Sequence, residues 1–219
     1  MKKQHVCRGL IYVMGMLILA LGLSISTRTN LGVSPLISVA FYVSKVTNRN
    51  IGNITLLWYA IFVAVEIVCH IKKKRYQEIP KDILQIPVSI VLTRFMNVFT
   101  GIIPEMTGNL VIRVFFLAIA IILIGLGIVF TLNVRLIPNP GDGIVQALAD
   151  LFARKVSTMK NILDAVCTLL TVIMSLVFSH KIIGIGLGTV LSVIFVGRVV
   201  ALGNHFLKEK MLRACGLEP

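Results

Sequence analysis

The sequence predicts an all-α integral membrane protein with six transmembrane helices and two short Pro-started helices, arranged as two inverted repeats of three spans. Three observations carry this reading. Of 219 residues, 57% are hydrophobic and only 14% charged, where soluble domains hold ~45–50% and ~25%; burying so much apolar side chain in water would leave little polar surface. Six apolar runs are each long enough to cross a hydrocarbon core of ~30 Å. The two halves of the chain also echo each other at an offset of about 105 positions.

The six spans are predicted over residues 9–27, 54–71, 83–103, 110–132, 161–178 and 182–206, and the short helices over 35–47 and 140–155. The short ones fall below the length that a crossing needs. Lys2 and Lys3 ahead of an apolar run resemble a leader, but a similar run recurs in mid-chain, where it can only be a span.

Basic residues set the orientation. If the short helices dip in and return, one side collects Lys2, Lys3, Arg8, the run 72–75, Lys81, Arg135, Arg154, Lys155, Lys160, Lys208, Lys210 and Arg213. The other side holds Arg28, Lys45, Arg49, Arg113 and Lys181. The positive-inside rule then puts both termini in the cytoplasm of a multi-pass plasma-membrane protein. The formal charge of +13 sits in these short loops and suits anionic lipid rather than nucleic acid. Cys7, Cys69 and Cys215 fall on the cytoplasmic side and Cys167 within a span, so a reduced state is expected for all four.

The repeat divides the chain into 1–109 and 110–219. Leu21-Gly22 matches Leu126-Gly127, Leu31 matches Leu136, Pro35 matches Pro140, Asn53-Ile54 matches Asn161-Ile162, and Arg94 matches Arg198. Three crossings per half invert the second copy relative to the first, a common build of secondary transporters. Ala20-Leu21-Gly22-Leu23, the Pro-started segment after it, Gln85-Ile86-Pro87-Val88-Ser89, and Gly188-Thr189-Val190 with Gly197 together resemble the YczE and YitT-like bacterial membrane proteins. That resemblance implies a multi-spanning fold in the plasma membrane.

Ser34-Pro35 and Asn139-Pro140 each put a capping residue before a proline, a favoured helix start. At membrane depth, the free N–H groups of such starts must meet protein, water or a ligand, and a carboxylate or carbonyl would suit them. The alternative is a helix lying flat at the interface, where the Asp142, Gln146 and Asp150 stripe would face water. Asp164 heads a polar face with Thr168, Thr171 and Ser175, which either lines a path or bonds to neighbouring helices. Glu66 is expected to snorkel or to pair with a loop lysine. Arg94, closest to a span centre, is expected to be paired. The candidate substrate-binding residues are therefore Ser34, Pro35, Arg94, Asn139, Asp142, Gln146, Asp164 and Thr168.

The four histidines are scattered without ligand spacing, so neither metal nor cofactor is expected. The glycines at 184–188 lack the strand and the Gly-Lys-Ser/Thr ending of a phosphate loop and read as close packing. No catalytic constellation stands out, and an enzyme is not expected. Two functions fit: a permease for a small solute or ion, and a non-transporting scaffold that binds a partner protein. The bilayer is the one partner the composition demands, and the pattern fixes no oligomeric state.

Overall fold

The computed structural model describes residues 2–217, and among them all regular structure is helical. The order is α1 (Lys2–Arg28), α2 (Pro35–Thr47), α3 (Ile51–Lys72), α4 (Ile79–Ile102), α5 (Leu110–Asn133), α6 (Pro140–Phe152), α7 (Val156–Ser179) and α8 (Leu187–Cys215). All but α2 and α6 are long and apolar enough to cross a membrane. Their outward faces keep large apolar side chains exposed, among them Leu57, Phe115, Leu169, Val190 and Phe206. A surface of this kind suits hydrocarbon and not water.

Hydrogen bonds across the loops show how the helix ends are grouped. Glu105, after α4, takes both Arg28 from the last turn of α1 and Lys45 from the last turn of α2. The end of α2 therefore returns to the side of the bundle where α1 finished. At the other side, Arg8 donates to the carbonyl of Val134 just past α5 (3.0 Å), and Arg75 pairs with Asp150 at the end of α6 (2.5 Å). The side with the chain termini thus also holds the ends of α5 and α6. Neither short helix crosses.

The innermost packing is α1 against α5. A methyl group on Gly22 would lie 2.8 Å from the nitrogen of Ile124, and one on Gly127 would lie 2.7 Å from the Cα of Leu19. Only glycine lets the two backbones approach this closely. Around this crossing, α4 lies on α1 and α8 on α5, while α6 lies on α3 and α2 on α7. The extensive contact of α3 with α4 has no counterpart of similar extent between α7 and α8.

Several boundaries differ from the sequence expectation: α1 starts at Lys2 rather than 9, α3 at Ile51 rather than 54, α4 at Ile79 rather than 83, and α8 runs to Cys215 rather than 206. α6 stops at Phe152 rather than 155 because Ala153 is left-handed (φ 51°), and the Arg154 N–H turns back to Ala149 O at 2.9 Å, the usual way a helix end closes. α7 starts at Val156 rather than 161, which places Lys160 inside a helix and not in a loop. α8 starts at Leu187 rather than 182, since His180 and Gly184 both have positive φ (52° and 85°). The glycine run packs as expected: Gly188 N–H donates to Leu31 O at 2.7 Å, and Gly184 O accepts from the Val33 N–H at 3.0 Å.

Candidate functional site

The starts of α2 and α6 meet. Ser34, Pro35, Leu36 and Ile37 from one, and Asn139, Gly141 and Asp142 from the other, line a single cavity of about 50 Å³. Its other walls come from Leu19 and Leu23 of α1, Tyr59 of α3, Ile124 and Ile128 of α5, Lys160 and Asp164 of α7, and Ser192 of α8. Many of these residues fall in pairs separated by about 105 positions: Leu19 and Ile124, Leu23 and Ile128, Ser34 and Asn139, Leu36 and Gly141, Ile37 and Asp142. The last pair differs in kind, with a carboxylate on one side where the other has an alkyl group.

The cavity is rich in side-chain oxygen atoms that the protein leaves unpaired. Neither Ser34 nor Asn139 makes a side-chain cap bond to its helix. Asn139 Oδ1, Asp142 Oδ2, Asp164 Oδ1 and Ser192 Oγ are all buried without a hydrogen-bond partner among the described residues. Buried polar atoms ordinarily have partners, so four on one small cavity are notable. Lys160 Nζ donates to the other Asp164 oxygen at 3.3 Å.

Asp142 and Lys160 also line a second, larger space of about 450 Å³ at the end of the bundle that carries the termini. Its deep wall holds Glu66 and Gln85. Gln85 Nε2 donates to Glu66 Oε2 at 2.7 Å, while Glu66 Oε1 and Gln85 Oε1 have no partner. Both side chains are buried, Glu66 at 1% exposure. Nearer the mouth, His70 Nδ1 lies 2.7 Å from Asp82, Arg75 pairs with Asp150, and Lys81 pairs with Glu78 at 2.8 Å. The hydrogen bond from Lys81 holds the Glu78 carboxyl below its ordinary range.

Five of the residues that the sequence nominated thus come together: Ser34, Pro35, Asn139, Asp142 and Asp164. Gln146 lies outside the cavity on the vestibule wall, exposed, with its amide donating to Asp150 at 3.2 Å. Thr168 spends its hydroxyl on the Asp164 carbonyl of its own helix (2.8 Å) and does not line the cavity. Arg94 lies apart as well. It is exposed and donates to Asn53 near the start of α3 (3.0 Å), so its long side chain is carried toward a helix end.

Glu66 corrects another expectation, because its partner is Gln85 and not a loop lysine. Tyr59, Lys160, Ser192 and Gln85 were not nominated. Of these only Lys160 had a signal, its i,i+4 spacing to Asp164; the others meet the site through tertiary packing alone.

A model of a family of unknown function (DUF6198) matches residues 6–205. The chain belongs to this family. The DUF6198 match takes in every residue that lines the cavity and the vestibule. The chain is also 22% identical, over 205 residues, to the uncharacterized protein YyaS of Bacillus subtilis (strain 168), a similarity that covers 90% of this chain and 95% of that one. No solved structure matches.

Proposed function

We propose that this protein is a plasma-membrane permease for a small solute or ion, built as two inverted repeats, with both termini in the cytoplasm. One observation carries the proposal: two half-spanning helices start at a shared cavity lined by acceptor atoms without partners. Irregular backbone and free polar atoms at membrane depth belong where they face a ligand or water and not lipid. The matched lining pairs support the repeat, and the basic residues gathered on the terminal side support the orientation. The YczE and YitT-like motifs fit the same picture of a small multi-spanning bacterial protein.

On this reading the 450 Å³ space is a cytoplasmic vestibule, and the 50 Å³ cavity is the deeper binding site. Asp142 and Lys160 stand at their junction. On the opposite side, residues 31–33 are hydrogen-bonded to the 184–188 segment, and the two segments line a further space of about 500 Å³. No chemical conversion is part of the proposal.

A thermal-shift screen of purified protein against ions, amines, carboxylates and other small metabolites tests it, since a ligand of the native state raises the melting temperature. Hits are expected among small polar compounds, and their effect should weaken in Asp142→Asn. Flux of the hit compound into vesicles containing the protein should follow. Hits that act unchanged on Asp142→Asn, or a hit that binds and never crosses, would sink the reading.

A further inference from the structure

The structure assigns the deep end of the vestibule to a small monovalent cation, an alkali ion or ammonium, taken up by the carboxylates of Asp142 and Glu66. The inference names a ligand class for the proposed permease, and it rests on that reading for its place in transport.

The distribution of acid comes first. The chain carries 22 Lys and Arg against 9 Asp and Glu. Yet Glu66, Glu78, Asp82, Asp142 and Asp150 all line the vestibule, and Asp164 lines the cavity beyond it. A basic protein has gathered most of its few carboxylates around one connected space. Four of them have basic partners: Asp82 has His70, Asp150 has Arg75, Glu78 has Lys81, and Asp164 has Lys160. Among the described residues, Glu66 and Asp142 have none within salt-bridge distance. Arg135, on the same vestibule, is exposed at its rim.

The burial of these groups makes the mismatch consequential. A carboxyl group taken out of water needs a counter-charge, several donors or a bound proton. Glu66, at 1% exposure, has one donor, the Gln85 amide, and its Oε1 has nothing. Asp142 Oδ2 and Asn139 Oδ1 are likewise buried and unpaired. These atoms are all acceptors, and so is the unpaired Gln85 Oε1. Glu66, Gln85 and Asp142 line one space, and acceptors that share a space call for a donor or a cation. An anion would meet two carboxylates there, with the nearby lysine already engaged by Asp164.

Size and ligand count narrow the class. The vestibule of about 450 Å³, which Glu66 and Asp142 both line, has room for an ion together with several waters. Among the described residues, no group of three or more His, Cys, Asp or Glu side chains is close enough to hold a metal ion. The hard divalent ions favour richer sets of charged oxygens or several retained waters, whereas a monovalent ion is satisfied by carboxylate, amide and hydroxyl oxygens. Gly143 also has a part. It lies between Asp142 and the α3 wall, and any Cβ there would fall 2.6 Å from Glu66 Oε2.

The test is a melting curve of the purified full-length protein in which sodium, potassium or ammonium chloride replaces N-methylglucamine chloride at constant ionic strength. At least one of the three should raise the melting temperature saturably. The midpoint of that rise should move up by about tenfold or more in Glu66→Gln and in Asp142→Asn, and stay put in Glu209→Gln, far out on α8. No difference between the salts, a midpoint unchanged in both site variants, or a response only to magnesium or calcium overturns the inference. Should neither variant fold, equilibrium dialysis of wild-type protein with radioactive sodium or rubidium decides, and absence of saturable binding overturns the cation. Vesicle flux separates the two readings. Saturable cation binding without flux keeps the cation site and removes the permease. Flux of an anion with no cation effect keeps the permease and removes the cation.

Discussion

Glu66 and Gly143 are in contact across the α3–α6 packing, so close that the carboxylate occupies the place where a side chain at 143 would begin. This gives the first prediction. In Gly143→Ala the new methyl group must displace Glu66 Oε2 from 2.6 Å and Gln85 Nε2 from 3.0 Å. Overpacking of this kind costs about 1–3 kcal/mol. Melting of the purified variant should show a clear drop, together with loss of any ligand response at Asp142. A variant as stable as wild type would mean that the ends of the Glu66 and Gln85 side chains swing aside at little cost.

The Lys160–Asp164 pair supplies the second. Asp164 is buried at 5% exposure, and among the described residues Lys160 is its one cationic partner within salt-bridge distance. Lys160→Met should destabilise by roughly 2–3 kcal/mol, below the ~3–5 of a fully buried pair because water reaches the lysine. The double variant Lys160→Met with Asp164→Leu should recover much of that loss. A double-mutant cycle of chemical unfolding measures it, and strict additivity of the two single losses would contradict the pairing.

Two arginines exchange the importance that their positions suggest. Arg113, at the start of α5, donates to Thr29 O (2.7 Å) and Asn30 O (2.6 Å), pinning the turn that leads into α2. Among the described residues, Arg94 bonds only to the Asn53 side-chain carbonyl. Bonds from a charged donor contribute ~1.5–3 kcal/mol. Arg113→Leu should therefore lower the melting temperature more than Arg94→Leu, although Arg94 is the one deeper in its helix. The reverse order would show that Arg94 carries a load which its contacts do not reveal.

Acid sensitivity follows from Glu105. The hydrogen bond from Lys45, helped by the charge of Arg28, holds its carboxyl below the usual range. A carboxyl with a depressed folded-state pKa stabilises the fold above its unfolded value of about 4.3, and this is lost as pH falls through the folded value. Wild type should melt somewhat higher than Glu105→Gln near neutral pH, with the gap closing below about pH 4. The gap will be small, since the side chain is 41% exposed and surface pairs are screened. A gap that widens on acidification would reverse the assignment.

Topology can be read by thiol labelling in a background with Cys7, Cys69, Cys167 and Cys215 replaced. A cysteine at Thr107 should react in intact cells, and one at Lys73 only after permeabilisation. Reaction at Lys73 in intact cells would place the termini outside and turn the vestibule to face the other way.

Much of the architecture was legible because hydropathy and proline are local signals. The limits of α2 coincide with the predicted 35–47, since Ser34-Pro35 marks its start and left-handed Asn48 its end. The early start of α7 was hidden because Lys160 reads as a loop residue until Asp164 is seen to meet it. At the site, Ser34, Asn139 and Asp142 were visible through the same helix-start chemistry. Glu66 was visible as a buried charge but its partner Gln85 was not, because which faces of α3 and α4 meet depends on packing over the whole bundle. Arg94 misled for a related reason: span-centre position is counted along the helix, while a long side chain is free to run toward the helix end.

The α1–α5 crossing has a consequence for how such a chain is assembled. Gly22 meets Ile124 and Gly127 meets Leu19, so each half offers the other the same patch, residue for residue. That is the reciprocity of a two-fold dimer interface, here joined by a single loop. The halves ought to recognise one another without the tether. A gene cut in the 103–109 loop should yield two fragments that find each other in the bilayer. What the tether adds is inequality, since it lets one copy keep Ile37 where the other carries Asp142, a difference that two identical chains cannot have.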